Sequence, residues 1–211
     1  MGINVWHYEN AARRQGHTRV AGIDEAGRGP LAGPVVAAAV VLPIDFEISG
    51  VTDSKRLSPR TRDRLYDDIY SHAESVGIGI VDPAEIDRIN ILKASLAAMS
   101  IAVRNLSPIP DFLLIDGLFT ISSKLPQQAI VRGDSASISI SAASIVAKVT
   151  RDRIMEGYGM DYPEYGFHRH KGYPTKAHKE AIACFGPCLI HRRSFSGVLK
   201  DDALVKSQTT R

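Results

Sequence analysis

Three short apolar runs in this chain end on an acid with glycine close by, and that pattern restricts the folds open to it. Arg19 to Asp24 (RVAGID) runs into Glu25 and the glycines at 27 and 29. Asp111 to Asp116 (DFLLID) stops at Gly117, and Gln128 to Val131 is closed by Gly133-Asp134. Short aliphatic runs bounded by glycine read as buried strands. Pro34 to Leu42 and Val76 to Val81 add two more. Helix signals lie between them. Ser58-Pro59 places an N-cap before a proline and opens a helix to about His72. Asp82-Pro83-Ala84-Glu85 is a capping box, followed by helix in two pieces to about Leu106. Thr175 caps a last helix that Gly186-Pro187 ends. Interleaved strands and helices predict one α/β domain around a mixed central sheet. Residues 1–18 form a polar lead-in with room for a short helix, 19–196 the domain, and 197–211 a flexible tail. Residues 135–141 alternate serine with apolar residues, a strand pattern, whereas Ala142 to Met155 is helical in period; helix is expected to win from about Ser141.

In an open sheet, ligands bind at the ends of the strands. If the three strands are neighbours, Asp24, Glu25, Asp116 and Asp134 converge. Such a cluster is unfavourable without a counter-charge, because like carboxylates repel. Hard oxygen donors without clustered His or Cys suit Mg²⁺ or Mn²⁺ rather than zinc. Asp24 and Glu25 are adjacent and should face opposite sides of a regular strand, so both reach one site only if the strand ends or bulges there. The alternative is that these acids are turn formers, since Asp beside Gly is common turn chemistry.

Other motifs fail. Gly22 to Gly29 lacks the Lys-Ser/Thr of a phosphate loop, and Gly27, Gly29 and Gly33 miss the dinucleotide spacing by one. No Gly-x-Ser-x-Gly is present. Cys184, Cys188, His191 and His178 do not have zinc-site spacing, and both cysteines are expected as buried small hydrophobes.

Charge divides along the chain. Residues 1–140 hold 14 basic and 16 acidic side chains, residues 141–211 hold 12 and 7. Residues 163–193 interleave Arg169, Lys171, Lys176, Lys179, Arg192 and Arg193 with Tyr165, Phe167 and Tyr173. Basic residues attract phosphates and aromatic rings stack on bases or sugars, so this strip suits nucleic acid. Gly172 and Pro174 bracket Tyr173 on a turn that would hold its ring out; core packing is the alternative. His168 and His170 read as solvated loop residues. The longest apolar run, Val35 to Leu42, is eight residues, against about 20 for a membrane span. No secretory signal opens the chain, so a cytoplasmic protein with reduced thiols is expected. An acidic site beside a basic, aromatic strip points to metal-dependent phosphodiester cleavage. A non-catalytic nucleic-acid-binding module and a metal-dependent DNase remain as rivals.

These residues resemble a known family. Ile23-Asp24-Glu25-Ala26-Gly27-Arg28-Gly29-Pro30-Leu31-Ala32-Gly33-Pro34-Val35 is similar to the signature of bacterial ribonuclease HII. Asp53-Ser54-Lys55 with Leu57, Ile115-Asp116-Gly117, Gly133-Asp134, Ala142 to Val149, Arg151-Asp152-Arg153, His170 to Thr175, His191-Arg192 and Ser194-Phe195 continue it in the family's order. The resemblance implies a ribonuclease-H-like fold: a five-stranded mixed central sheet flanked by helices, with a helical C-terminal part. It implies a monomeric endonuclease for RNA–DNA hybrids and for single ribonucleotides embedded in duplex DNA, leaving 5′-phosphate and 3′-hydroxyl ends in ribonucleotide excision repair. Asp24, Glu25, Asp116 and Asp134 would be the catalytic carboxylates, holding Mg²⁺ or Mn²⁺, two ions during catalysis. Gly27, Arg28 and Gly29 would sense the ribose 2′-hydroxyl, and Tyr173 would stack on the sugar at the junction. Lys55 would touch a phosphate, with Lys148 and Arg151 as phosphate contacts or structural residues. The sister ribonuclease HIII has Lys where Arg28 stands and an N-terminal extension domain, for which the residues before the first strand leave no room.

Overall fold

The computed structural model describes residues 4–44, 46, 51, 54 and 57–199. Its centre is β1 (Val20–Ala26). β1 pairs antiparallel with β2 (Val35–Val41), which pairs antiparallel with β3 (Ser75–Val81). On its other side β1 runs parallel to β4 (Phe112–Asp116), and β4 runs parallel to β5 (Gln127–Ile130). The order is β3-β2-β1-β4-β5. Because β1, β4 and β5 are parallel, the three acid-bearing ends lie along one edge of the sheet.

The two-residue period of a strand assigns the faces. Ala21, Ile23, Val35, Ala37, Ala39, Leu113 and Ile115 pack with Ile86, Ala94, Ala98 and Met99 of α3 (Pro83–Ile89) and α4 (Ile91–Arg104). Ala38 and Val40 face α2 (Pro59–His72) and α5 (Ile138–Asp161). β2 is therefore buried throughout, and its run of alanines lets helices approach on both sides. Gly22 marks a close approach of β1 to α5: a Cβ there would lie 2.1 Å from the carbonyl carbon of Ser139. The expected caps are present. Ser58 accepts from Thr61 N, Asp82 from Glu85 N, and Thr175 from His178 N at the start of α7 (Lys176–Phe185). Asn90, at φ +72°, breaks α3 from α4 and accepts from Lys93 N.

Helix α5 begins at Ile138, three residues ahead of the sequence expectation, and the strand pattern of 135–141 is not realised. The serines explain why. Ser137 Oγ accepts from Ile140 N as N-cap, and Ser141 Oγ donates to the carbonyls of Ser137 and Asp134. Buried Glu9, on α1 (His7–Arg14), accepts through one carboxylate oxygen from Ser137 Oγ (2.6 Å), Ser139 N (3.0 Å) and Ser139 Oγ (2.6 Å). Polar residues that alternate in sequence are thus satisfied inside rather than turned to water. The lead-in, through α1, anchors the root of α5.

Past α5 the chain forms a small helical part: α6 (Phe167–His170) and α7 around Met155, Tyr165, Phe167 and Ile182. Leu31 and Ala32, from the loop after β1, belong to this cluster, which ties it to the sheet. Among the described residues no helix is long and apolar enough to cross a membrane.

Candidate active site

Pairing of β1 with β4 ends at Ile23 opposite Ile115, while pairing with β2 runs on to Ala26. The strands part at that point. Asp24 and Glu25, of opposite parity on a regular strand, both line the cleft that opens, together with Gly27, Arg28, Gly29, Ser54, Asp116, Ser144, Lys148 and Tyr173. The cleft holds about 330 Å³. No bulge is needed; divergence of the neighbouring strand gives both acids access.

The acids are poorly solvated. Asp24 is 5% exposed, and its Oδ1 accepts from Glu25 N at 2.7 Å. Burial raises its pKa well above the usual carboxylate range, and the charges of Glu25, Asp116 and Asp134 push it further. Glu25 is raised by burial against the opposing pull of Arg28, whose Nη1 lies 3.2 Å from Oε1. The other Glu25 oxygen, Oε2, is buried without a hydrogen-bond partner. Asp116 Oδ1 accepts from Gly133 N at 2.7 Å. Asp134 follows in a 3-10 turn, entered through Arg132 at φ +57°. It is not among the residues that line the cleft, and its charge acts on Asp24. Among the described residues no three His, Cys, Asp or Glu side chains are already drawn into metal-binding geometry. The donor set nevertheless fits a hard divalent cation: oxygen only, one buried oxygen unpartnered, and a carboxyl whose ionisation the site resists until positive charge arrives.

The glycine loop is held from behind. Arg192 is fully buried and donates to four of its carbonyls: Gly27 (2.6 Å), Arg28 (3.1 Å), Pro30 (2.8 Å) and Gly33 (2.9 Å). Arg151, 1% exposed, donates to the carbonyls of Pro34, Ala32 and Lys171. In a trans peptide N–H points opposite C=O. With the Gly27 and Arg28 carbonyls turned onto Arg192, the Arg28 and Gly29 N–H groups face away from it. Gly27 has φ +101°, and a Cβ would lie 2.1 Å from Arg151 Nε, so only glycine fits. The loop also meets the Tyr173 turn, where Leu31 N donates to Gly172 O at 2.8 Å. Tyr173 is 42% exposed, and its Cε1 is 3.8 Å from where a Gly29 Cβ would stand.

Several expectations need correction. Arg192 is no part of an exposed basic strip; it is interior, as is Arg151. Phe167 and Tyr165 are core residues rather than surface aromatics, packed in parallel with centroids 5.3 Å apart. Cys184 is exposed, because α7 turns its core face through Ala181 and Ile182 instead, and Cys188, beyond the helix, is only partly covered. His170 is not a solvated loop residue; it lies half-buried on α6. Lys148 lines the cleft but pairs with Asp152 at 2.6 Å, and burial lowers its pKa. Lys55 and Asp53 lie outside the described residues. Sequence reasoning missed the Arg192 clamp, and left Arg151 between a phosphate contact and the structural role it has. The available signal was backbone accounting: an irregular loop through the interior needs donors for its carbonyls.

A five-stranded mixed sheet flanked by helices, with acids on the ends of its parallel strands, is the fold of ribonuclease-H-type nucleases. Comparison with known proteins agrees. The family model for ribonuclease HII matches residues 21–198. The curated ribonuclease HII of Geobacter sulfurreducens is 56% identical over 194 residues, covering 92% of this chain and 89% of that protein. The solved ribonuclease H2 of Pyrococcus horikoshii OT3 superposes with a TM-score of 0.71 at 29% identity, over 86% of this chain and 95% of that one. Bst-RNase HIII in complex with Mn²⁺ shares the fold, with a TM-score of 0.70 at 19% identity over 94% of this chain and 73% of its own. The chain belongs to the ribonuclease HII family. It is an endoribonuclease that hydrolyses the RNA strand of RNA–DNA hybrids.

Proposed function

We propose that this enzyme also incises duplex DNA on the 5′ side of a single embedded ribonucleotide, in a divalent-metal-dependent reaction leaving 5′-phosphate and 3′-hydroxyl ends. The observation that carries this reading is one cleft lined at once by Asp24, Glu25 and Asp116, the Gly27–Gly29 loop and the Tyr173 ring. Asp24, Glu25, Asp116 and Asp134 would hold Mg²⁺ or Mn²⁺, and such ions neutralise the attacked phosphate, activate water and stabilise the leaving oxygen. Bst-RNase HIII, which shares this fold, has been solved in complex with Mn²⁺, which supports a divalent metal here.

The protein's own groups do the rest. A 2′-hydroxyl is what separates RNA from DNA at a given site. The Arg28 and Gly29 N–H groups, turned outward by Arg192, would donate to that oxygen, and the bare glycines let the sugar approach. Tyr173 would stack on the following sugar. Arg28 favours the ionised form of Glu25, opposing the burial that raises its pKa. Lys55 would touch a flanking phosphate. The enzyme would act as a monomer in the cytoplasm.

The test is a labelled DNA duplex with one ribonucleotide, beside an all-DNA duplex and an RNA–DNA hybrid, each with Mg²⁺ and with EDTA. A metal-dependent nick at the ribonucleotide alone, with the hybrid also cut, is expected. Cutting of the all-DNA control would show a DNase, and a cut hybrid with an intact single-ribonucleotide duplex would refute the finer reading.

A further inference from the structure

Under the Tyr173 turn lies a group of three imidazoles that no step of the reaction uses. His178 is wholly buried and His191 is 2% exposed. The rings of His170 and His178 stack, with centroids 4.4 Å apart and planes 18° from parallel. Phe167 packs edge-on against both.

Their proton positions are fixed from the ends of the chain. Cys188 N–H donates to His191 Nδ1 at 2.9 Å, so that nitrogen carries no proton. His191 therefore carries its proton on Nε2, which donates to His178 Nε2 at 3.1 Å. His178 then carries its proton on Nδ1, which donates to the Tyr173 carbonyl at 2.9 Å. That carbonyl's second lone pair accepts from Thr175 N at 2.8 Å. His170 follows the same logic: Gly172 N–H donates to its Nδ1 at 3.2 Å, and its Nε2 donates to Tyr165 O at 2.8 Å. A proton added to any ring would set two N–H groups against each other. Burial lowers the pKa of all three, which keeps them neutral.

The turn above needs such support. Lys171 at φ +52° and Gly172 at φ +84° are consecutive left-handed residues, unfavourable for lysine. His170 grips the turn at Gly172 N and His178 grips it at Tyr173 O. Both are stiff, planar groups set in the helical part, and Cys188 N fixes the tautomer from the far side.

We propose that His178 is a positioning residue for Tyr173, with His191 setting its tautomer and His170 bracing the preceding peptide, so that a neutral imidazole relay aims the ring into the cleft. The role rests on the reading of Tyr173 as the sugar contact.

A double-mutant cycle tests it, with kcat/KM measured on the single-ribonucleotide duplex. Tyr173→Ala is expected to cost about tenfold or more, and His178→Leu a similar factor. Combined, they should cost no more than Tyr173→Ala alone, because His178 acts only through the ring. His178→Asn, whose amide stands where Nδ1 stood, should recover most of the loss. Nitrogen-15 spectra of the wild-type imidazoles near neutral pH should show Nδ1–H for His178 and Nε2–H for His191. These spectra need no variant and decide the matter even if His178→Leu does not fold. Multiplying losses in the cycle, or the opposite tautomers, overturn the proposal alone. Full activity of Tyr173→Ala overturns the reading of the ring itself, and this role with it.

Discussion

Replacing Arg192 with methionine keeps most of the side chain's length and removes its donors. Two large terms compete. Burial, with Arg151 nearby, pulls the guanidinium pKa far down, to about 9, so holding it charged costs about 5 kcal/mol. Methionine would relieve that. Against it stand four hydrogen bonds of 2.6 to 3.1 Å, each worth about 1.5–3 kcal/mol when the donor is charged, roughly 6–12 kcal/mol in total. The carbonyls win, and partial hydration of the freed loop trims the difference. Arg192→Met should therefore lose about 2–4 kcal/mol of stability, about 4–16 °C in Tm for a chain of this size. Activity should fall further, about a hundredfold in kcat/KM on the single-ribonucleotide duplex, because the Arg28 and Gly29 N–H groups lose their orientation. Arg192→Lys keeps a charge but not the planar fork, and cannot reach four carbonyls spread over the loop. It should resemble methionine in activity. Urea unfolding and steady-state kinetics on both variants are the assay. If lysine restores activity, charge rather than geometry holds the loop; if methionine leaves Tm and activity unchanged, the carbonyl accounting is wrong.

Other predictions are direct. Asp116→Asn keeps an oxygen for Gly133 N but removes the negative charge and one of the two oxygen donors of that side chain, so Mg²⁺-dependent cleavage should vanish while circular dichroism and Tm are preserved; near-normal turnover would remove Asp116 from the site. For His191, with its pKa pushed down to about 4 against about 6.5 when unfolded, the unfolded chain binds more protons between those values. Its stabilising contribution is complete above pH 6.5 and is lost on acidification toward pH 4, by about 3 kcal/mol at most. The stability gap between wild type and His191→Asn in urea should narrow over that window; a constant gap means the imidazole is not buried neutral. Gly22→Ala places a methyl 2.1 Å from the Ser139 carbonyl carbon and should cost about 1–3 kcal/mol or more by overpacking, with no gain in helix or strand content by circular dichroism.

Much of the sheet was legible because each strand carries its own punctuation. β1, β4 and β5 each run out within a few residues of an acid and a glycine, and β2 is too short and apolar to be anything but interior. Helices with Ser58, Asp82 and Thr175 at their starts follow from capping chemistry local to a few residues. The start of α5 did not follow, since Ser137 and Ser139 are satisfied by Glu9, about 130 positions away in sequence, and no local pattern encodes that partner. The site divided in the same way. Asp24, Glu25 and Asp116 were readable as strand ends, whereas Arg192 looks like Arg193 beside it and differs only in being enclosed. A charge on the surface and a charge tying up loop carbonyls are one letter in the sequence; long-range packing separates them.

The grip of Glu9 on the root of α5 makes one amide a reporter. Ser139 N–H is held by a side chain from another helix rather than by a preceding turn, so it can exchange with solvent deuterium only when Glu9 lets go. Its exchange rate counts departures of α1. Asp134 sits four residues before Ile138, the start of α5, so the same clock times how often the floor beneath that acid is withdrawn. A fusion partner or label placed before His7 that slows or speeds this exchange would be acting on the candidate active site from the far end of a helix.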